Sequence, residues 1–199
     1  DVNARRTQMA QAVKKKQHYS VEDYRKWPDD ERWELIDGVT YDMSPAPRIK
    51  HQNIVSNFLI TFKTNPRNPC YTGITPTDVV LDDDSVVQPD VFIVCDGGKI
   101  TDKNIQGAPD LIVEVVSPGT EVKDRREKKR LYERSGVKEY LIVFPEREYV
   151  ERYVLKEGQY GSPEILNWDE PFRLSIFPIE VKLHEIFEKE IENDAREKP

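Results

Sequence analysis

Two carboxylates fall inside segments that otherwise read as core. Asp90 opens the apolar run Val91-Phe92-Ile93-Val94-Cys95 directly after Gln88-Pro89, and Glu114 lies in the middle of Asp110-Leu111-Ile112-Val113-Glu114-Val115-Val116. An unpaired carboxylate in a dry interior costs several kcal/mol, so Glu114 needs a cation, a hydrogen-bond donor or a metal. If the two runs are neighbouring strands ending close together, Asp90 and Glu114 come within reach of one ion. Two carboxylates, a backbone carbonyl and waters form an oxygen-only shell, which suits Mg2+ or Mn2+ rather than zinc. Ordinary pairing accounts for the same residues: Glu114 against a Lys or Arg of the following helix, Asp90 as the cap of a strand. Both accounts stand at this level.

The segment after Glu114 holds Asp124, Lys128 and Tyr132 at i, i+4 and i+8, one face of a helix. A lysine on that face can point back at the strand carboxylates, to orient an attacking water or stabilise charge on a phosphate. The alternative is a plain Asp124–Lys128 surface pair, contributing a few tenths of a kcal/mol. Lys123, Arg125, Arg126, Lys129, Arg130 and Arg134 make this helix the one concentrated positive face of the folded region. Arg125 and Lys129 are its candidates for contact with nucleic acid. Glu34, in Trp33-Glu34-Leu35-Ile36, is a third acidic candidate, which alternation in a half-exposed hairpin explains equally well. His51, at the head of a helix, reads as a base or phosphate contact or as a surface histidine. There is no Gly-rich phosphate loop, no G-x-S-x-G elbow and no H-E-x-x-H.

The elements that must position these residues follow from periodicity. Ser20-Val21-Glu22-Asp23 is a capping-box start for a short helix ended by Pro28. Asp37-Gly38 marks a hairpin between Trp33–Ile36 and Val39–Met43. Ile54, Val55, Phe58, Leu59 and Phe62 give an amphipathic helix over 51–62. Strands follow at 70–74, 78–81 and 86–87, then the doubly apolar 90–95 and 110–116. Thr120 caps a helix to about Ser135, with Gly136 at its C-terminal turn. A continuous apolar strand follows at 138–144, then a hairpin of 149–155 with 158–160, and a short helix at 184–187. From His51 onward the order is helix, three strands, helix, strand: an α/β fold, a mixed central sheet with buried strands flanked by helices, with extra hairpins at both ends.

The 199 residues and 19 Phe, Tyr and Trp suffice for one core with tails. A basic arm is expected over 1–18, a domain over 19–187 and a charged tail over 188–199. The net charge of −7 is uneven: the first 18 residues carry +4, the remainder −11. That acidity excludes a protein coating nucleic acid by charge alone, but not an enzyme meeting phosphate through metal ions. No apolar run reaches membrane-spanning length and no charged-then-apolar leader opens the chain. Cys70 and Cys95 do not make a disulfide framework or a zinc site, and a reducing, cytoplasmic location is the economical expectation.

Tyr19-Ser20-Val21-Glu22-Asp23-Tyr24, Trp33-Glu34-Leu35-Ile36-Asp37-Gly38, Met43-Ser44-Pro45, His51, Gln88-Pro89-Asp90-Val91, the run from Ala108 to Pro118, then Thr120, Asp124, Lys128, Tyr132 and Gly136-Val137-Lys138-Glu139-Tyr140-Leu141 occur in order. This series resembles the Uma-two family, a bacterial branch of the PD-(D/E)XK, restriction-endonuclease-like superfamily, over roughly residues 19 to 187. The resemblance implies an αβββαβ core and Mg2+-dependent endonuclease action on DNA. It implies Asp90 and Glu114 as metal ligands with the backbone carbonyl of Val115, and Glu34 as an auxiliary acid. The motif expects lysine two places after the glutamate, where this chain has Val116; Lys128 of the next helix matches the position that substitutes for it. A homodimer is common in the superfamily, and the 149–155 strand is expected to be an edge needing cover. A non-catalytic scaffold or nucleic-acid-binding module with the same fold is the rival expectation.

Overall fold

The computed structural model describes residues 18–28, 31–43 and 46–191. The expected arm, except for His18, and the tail beyond residue 191 lie outside them. Ser20 caps α1 (Val21–Tyr24) through the expected box, its Oγ accepting from the Asp23 amide while Asp23 accepts from the Ser20 amide. The hairpin of β1 (Trp33–Ile36) and β2 (Val39–Asp42) turns at Asp37 and Gly38, both at positive φ, as a two-residue turn between twisted strands requires.

The central layer is a six-stranded sheet. Its middle holds β6 (Val91–Val94), β8 (Leu111–Val115) and β9 (Glu139–Phe144), every residue of them buried. β3 (Tyr71–Ile74) lies outside β6, while β10 (Tyr149–Val154) and β11 (Glu164–Asn167) lie outside β9. β8 runs antiparallel to β6 and parallel to β9, the one parallel pair of this sheet. α2 (Ile49–Lys63) packs Ile54, Val55, Phe58 and Phe62 on one face of it, against Val91, Ile93, Leu111 and Val113. On the opposite face Phe92, Ile112 and Tyr140 meet Leu131 and Tyr132 of α3, which spans 121–135. The order α2, β3, β6, β8, α3, β9 is the expected αβββαβ core.

β4 (Val79–Asp82), β5 (Ser85–Val87) and β7 (Ile105–Gln106) join β1 and β2 in a second, five-stranded sheet ordered β2-β1-β5-β4-β7. A hairpin of β12 (Pro171–Arg173) and β13 (Glu180–Lys182) and a short α4 (Leu183–Ile186) complete the α2 side.

Four expectations are corrected. Segment 158–160 forms only a Lys156–Gln159 bridge, and β11 is the strand that pairs β10. β10 is therefore interior and is not the exposed edge that argued for a dimer. Thr120 makes no cap hydrogen bond to α3; its Oγ1 accepts from the Ser117 amide instead. Cys70 and Cys95, beyond the Tyr71–Val94 pair at one end of β3 and β6, form a disulfide.

Candidate active site

Strand alternation puts Glu114 on the α3 face of the sheet beside Ile112, while Leu111, Val113 and Val115 face α2. The Val91–Val113 register, continued by one step, sets Asp90 next to Glu114. The Val115 amide donates to Asp90 Oδ2 at 2.8 Å, and His51 Nε2, in the first turn of α2, lies 3.3 Å from the same oxygen.

α3 is not a regular helix. After an α-turn at Glu121–Lys123, residues Asp124–Lys128 form a π-helical segment, and Lys129–Ser135 resume the α-form before Gly136 in the left-handed region. Such a segment interrupts the regular ladder and is frequent at functional sites. Here the Asp124 carbonyl accepts from the Lys129 amide and from the Tyr140 hydroxyl. Within the segment Asp124 and Lys128 are both 2% exposed.

Lys128 Nζ lies 2.7 Å from Glu34 Oε1, 2.8 Å from Glu114 Oε1 and 3.8 Å from Asp124 Oδ1. Tyr132 donates to Glu114 Oε1 at 2.7 Å. Glu34 is fully buried, not half-exposed: it also binds Lys123 at 2.6 Å and accepts from the Gln88 amide. Asp124 Oδ1 and His51 Nδ1 are buried without a hydrogen-bond partner among the described residues. Three buried carboxyl groups thus face two ammoniums, and all three cannot ionise without an excess of negative charge. Burial and the neighbouring Asp124, Asp90 and Glu34 outweigh Lys128 and push the Glu114 carboxyl up to about 8. Burial likewise lifts Asp124 to about 6 against the pull of Lys128 and Lys123. Burial would raise Glu34 too, but Lys128 and Lys123 bring it below its ordinary value. Burial opposes the charge on Lys128, yet Glu114, Glu34 and Asp124 hold it protonated well above the usual range. Burial also opposes charge on His51, and the bond to Asp90 overcomes it.

The cluster opens on a cavity of about 500 Å3, lined by His51, Asp90, Glu114, Val115, Lys123 and Lys128 among others. The structure therefore brings together Glu34, His51, Asp90, Glu114, Val115 and Lys128. It does not bring Arg125 or Lys129 to the cavity. Arg125 pairs with the buried Glu151 at 2.9 Å, and Lys129 lies over the Tyr153 ring at 4.6 Å. Nor is the basic helix one free positive face: Arg134 is bound by Asp37 and Asp82, and Lys123 by Glu34. Two further residues of the site carry no sequence signal. Lys123 reads as one of many basic positions, and Arg32, which lines the cavity and donates to Gln88 Oε1, belongs to no motif.

A mixed sheet with helices on both faces defines an α/β fold. The crystal structure titled as a "putative nuclease belonging to DUF820" from Anabaena variabilis shares it, with a TM-score of 0.70 over 85% of this chain and 98% of that one at 16% identity. The model of the Uma2 family, described as "Putative restriction endonuclease", matches residues 21–184, and the chain belongs to that family. A Synechocystis protein described as "Uncharacterized protein slr1290" is 29% identical over 163 residues, 79% of this chain and 84% of its own length.

Proposed function

We propose that the protein hydrolyses DNA phosphodiester bonds as a Mg2+- or Mn2+-dependent endonuclease. Lys128 carries the reading: a fully buried ammonium held between Glu34 and Glu114 in the wall of an open cavity that Asp90 also lines. A purely structural ion pair gains nothing from such a hollow; a substrate requires one.

Asp90, Glu114 and the Val115 carbonyl would hold the cation. The donors fit: they are oxygens only, and the carboxylates around them exceed the ammoniums. Among the described residues no group of three or more His, Cys, Asp or Glu side chains is placed to hold a metal ion, so the proposed set has two side chains, with a carbonyl and water to complete it. When bound, the cation polarises a phosphoryl oxygen and lowers the pKa of its water. Lys128, kept charged by its carboxylates, stabilises the charge that builds on the phosphate. Glu34 fixes Lys128 in position. His51 orients Asp90 and adds positive charge where a phosphate enters, while Arg125 and Lys129 add only a diffuse attraction from the outer side of α3.

The test is Mg2+- or Mn2+-dependent cleavage of supercoiled and single-stranded DNA by the wild type and Glu114→Gln. Activity in the wild type alone supports the reading; equal activity in both, or none in either, overturns it. One feature favours a non-catalytic, nucleic-acid-binding scaffold instead: Glu114 Oε1 already accepts from both Lys128 and Tyr132. Calorimetric Mn2+ binding that Asp90→Asn abolishes argues against the scaffold.

The same reading sets the protein with DNA in the cytoplasm, as a homodimer formed through an outer strand such as β3 or β11. No helix among the described residues is long and apolar enough to cross a membrane. The Cys70–Cys95 disulfide speaks against a reducing compartment, and thiol titration in fresh lysate decides: two free thiols support the cytoplasm, a retained disulfide overturns it. Light scattering tests the dimer.

A further inference from the structure

A second, larger cavity of about 930 Å3 adjoins the first and plays no part in the chemistry above. Its walls include Tyr24, Trp27 and Trp33, all half-buried. The rings are braced by their neighbours. Trp27 packs against Tyr19 and Tyr24 with centroids 5.4 and 5.2 Å away, and Trp33 Nε1 donates to Glu31 Oε2 at 3.0 Å. Aromatic faces held rigidly at a cavity wall lose little entropy when a flat ligand stacks on them.

Arg32, Pro76 and Gln88 line both cavities and so form the partition between them. Arg32 Nη2 donates to Gln88 Oε1, and Gln88 Nε2 donates to Asp78 Oδ1, which also accepts from the Tyr24 hydroxyl. The Gln88 amide reaches Glu34 on the far side. A chain of hydrogen bonds thus runs from the aromatic cavity to the carboxylate that positions Lys128.

We propose that the aromatic cavity takes one unpaired nucleobase of the DNA strand whose phosphate enters the Glu114–Lys128 cavity, so that the substrate is single-stranded or locally opened DNA. This rests on the DNA reading above. The charge pattern selects a base over a phosphate. Among the described lining residues Arg25, Arg32 and Lys103 stand against Glu31, Asp78 and Asp102, so they give a phosphate no net attraction. A nucleobase instead offers a π-face to the tryptophans and both donors and acceptors to such a mixed rim. The volume falls in the range of small-molecule sites, roughly 300–1,000 Å3, which admits a base with its sugar. A base-paired nucleotide inside a duplex cannot enter without leaving the stack.

The test is binding without metal. In EDTA, with Trp168→Phe removing the third tryptophan, fluorescence is followed as a single strand, its duplex and an abasic strand of equal length are added. The expected result is quenching by the single strand and tighter binding of it than of the other two. Trp33→Leu should weaken single-strand binding about tenfold without changing the affinity for the abasic strand. Circular dichroism confirms folding, and the quenching arm stands on its own where Trp33→Leu does not fold. Absence of quenching, equal affinity for all three ligands, or unchanged binding by folded Trp33→Leu overturns the proposal. Metal-dependent cleavage without quenching refutes the base pocket and leaves the nuclease reading intact. Quenching without cleavage refutes the nuclease reading and leaves the pocket.

Discussion

Lys128 is the residue on which the buried charges balance. It is 2% exposed and lies against three carboxylates, two of which, Glu34 and Glu114, are within 2.8 Å. Removing one member of a buried ionic group leaves the others uncompensated, so Lys128→Met is expected to destabilise the protein by about 3–5 kcal/mol in urea unfolding. Adding Glu34→Gln to that variant should restore part of the loss, because Glu34 is the carboxylate held ionised and one fewer charge is left stranded. Glu114 also predicts a pH dependence. Its folded pKa, about 8, is raised above the ordinary glutamate value, so the folded state holds a proton that the unfolded chain releases. The stabilisation is fully present below the unfolded value and is lost as pH rises through about 8. Metal-free thermal melts should fall in the wild type as pH rises from about 5 to about 8, and fall less in Glu114→Gln, which has no proton to lose. Parallel curves for the two would refute this.

Among the elements, edge strand β3 is held to β6 by a contact that tolerates no side chain. A Cβ on Gly73 would stand 2.3 Å from Phe92 Cζ, so Gly73→Ala is expected to cost about 1–3 kcal/mol, with Phe92→Leu in the same chain relieving it. Elements of this sheet were legible where the sequence pattern is local. Strands β6, β8 and, after Glu139, β9 are apolar runs, and Glu114 is visible as the one charge inside such a run. The spacing of Asp124, Lys128 and Tyr132 correctly puts them on one face, although the π-helical segment that buries the first two leaves no trace in it. The burial of Glu34 was not legible, because it depends on Lys123, 89 positions away, and on β1 pairing with β5. β7 has two residues and β12 and β13 three each, with one buried side chain in each, too little for a period to register. The Cys70–Cys95 pair emerges only from the register of β3 against β6, which spacing along the chain does not encode.

For the whole molecule, the residues beyond 18 carry a net charge of −11, which repels duplex DNA. Several cations of α3 are already engaged by acids of the protein itself. Binding to duplex DNA should therefore show a shallow dependence on salt, log K against log salt with a slope of roughly −2 to −3, as for two or three neutralised phosphates. Fluorescence anisotropy over a salt series measures it; a slope as steep as a polycationic surface gives would contradict the internal pairing of α3. Cys70 and Cys95 are the chain's only cysteines. They bridge one end of β3 and β6, while Asp90 stands at the other end, five residue steps from Cys95, about 17 Å. The reduced pair is thus a ready seat for a bifunctional nitroxide, clamped to two strands and clear of the cavity. Paramagnetic Mn2+ would broaden that label's spectrum at short range, giving a spectroscopic ruler from sheet edge to ion that needs neither turnover nor an added cysteine.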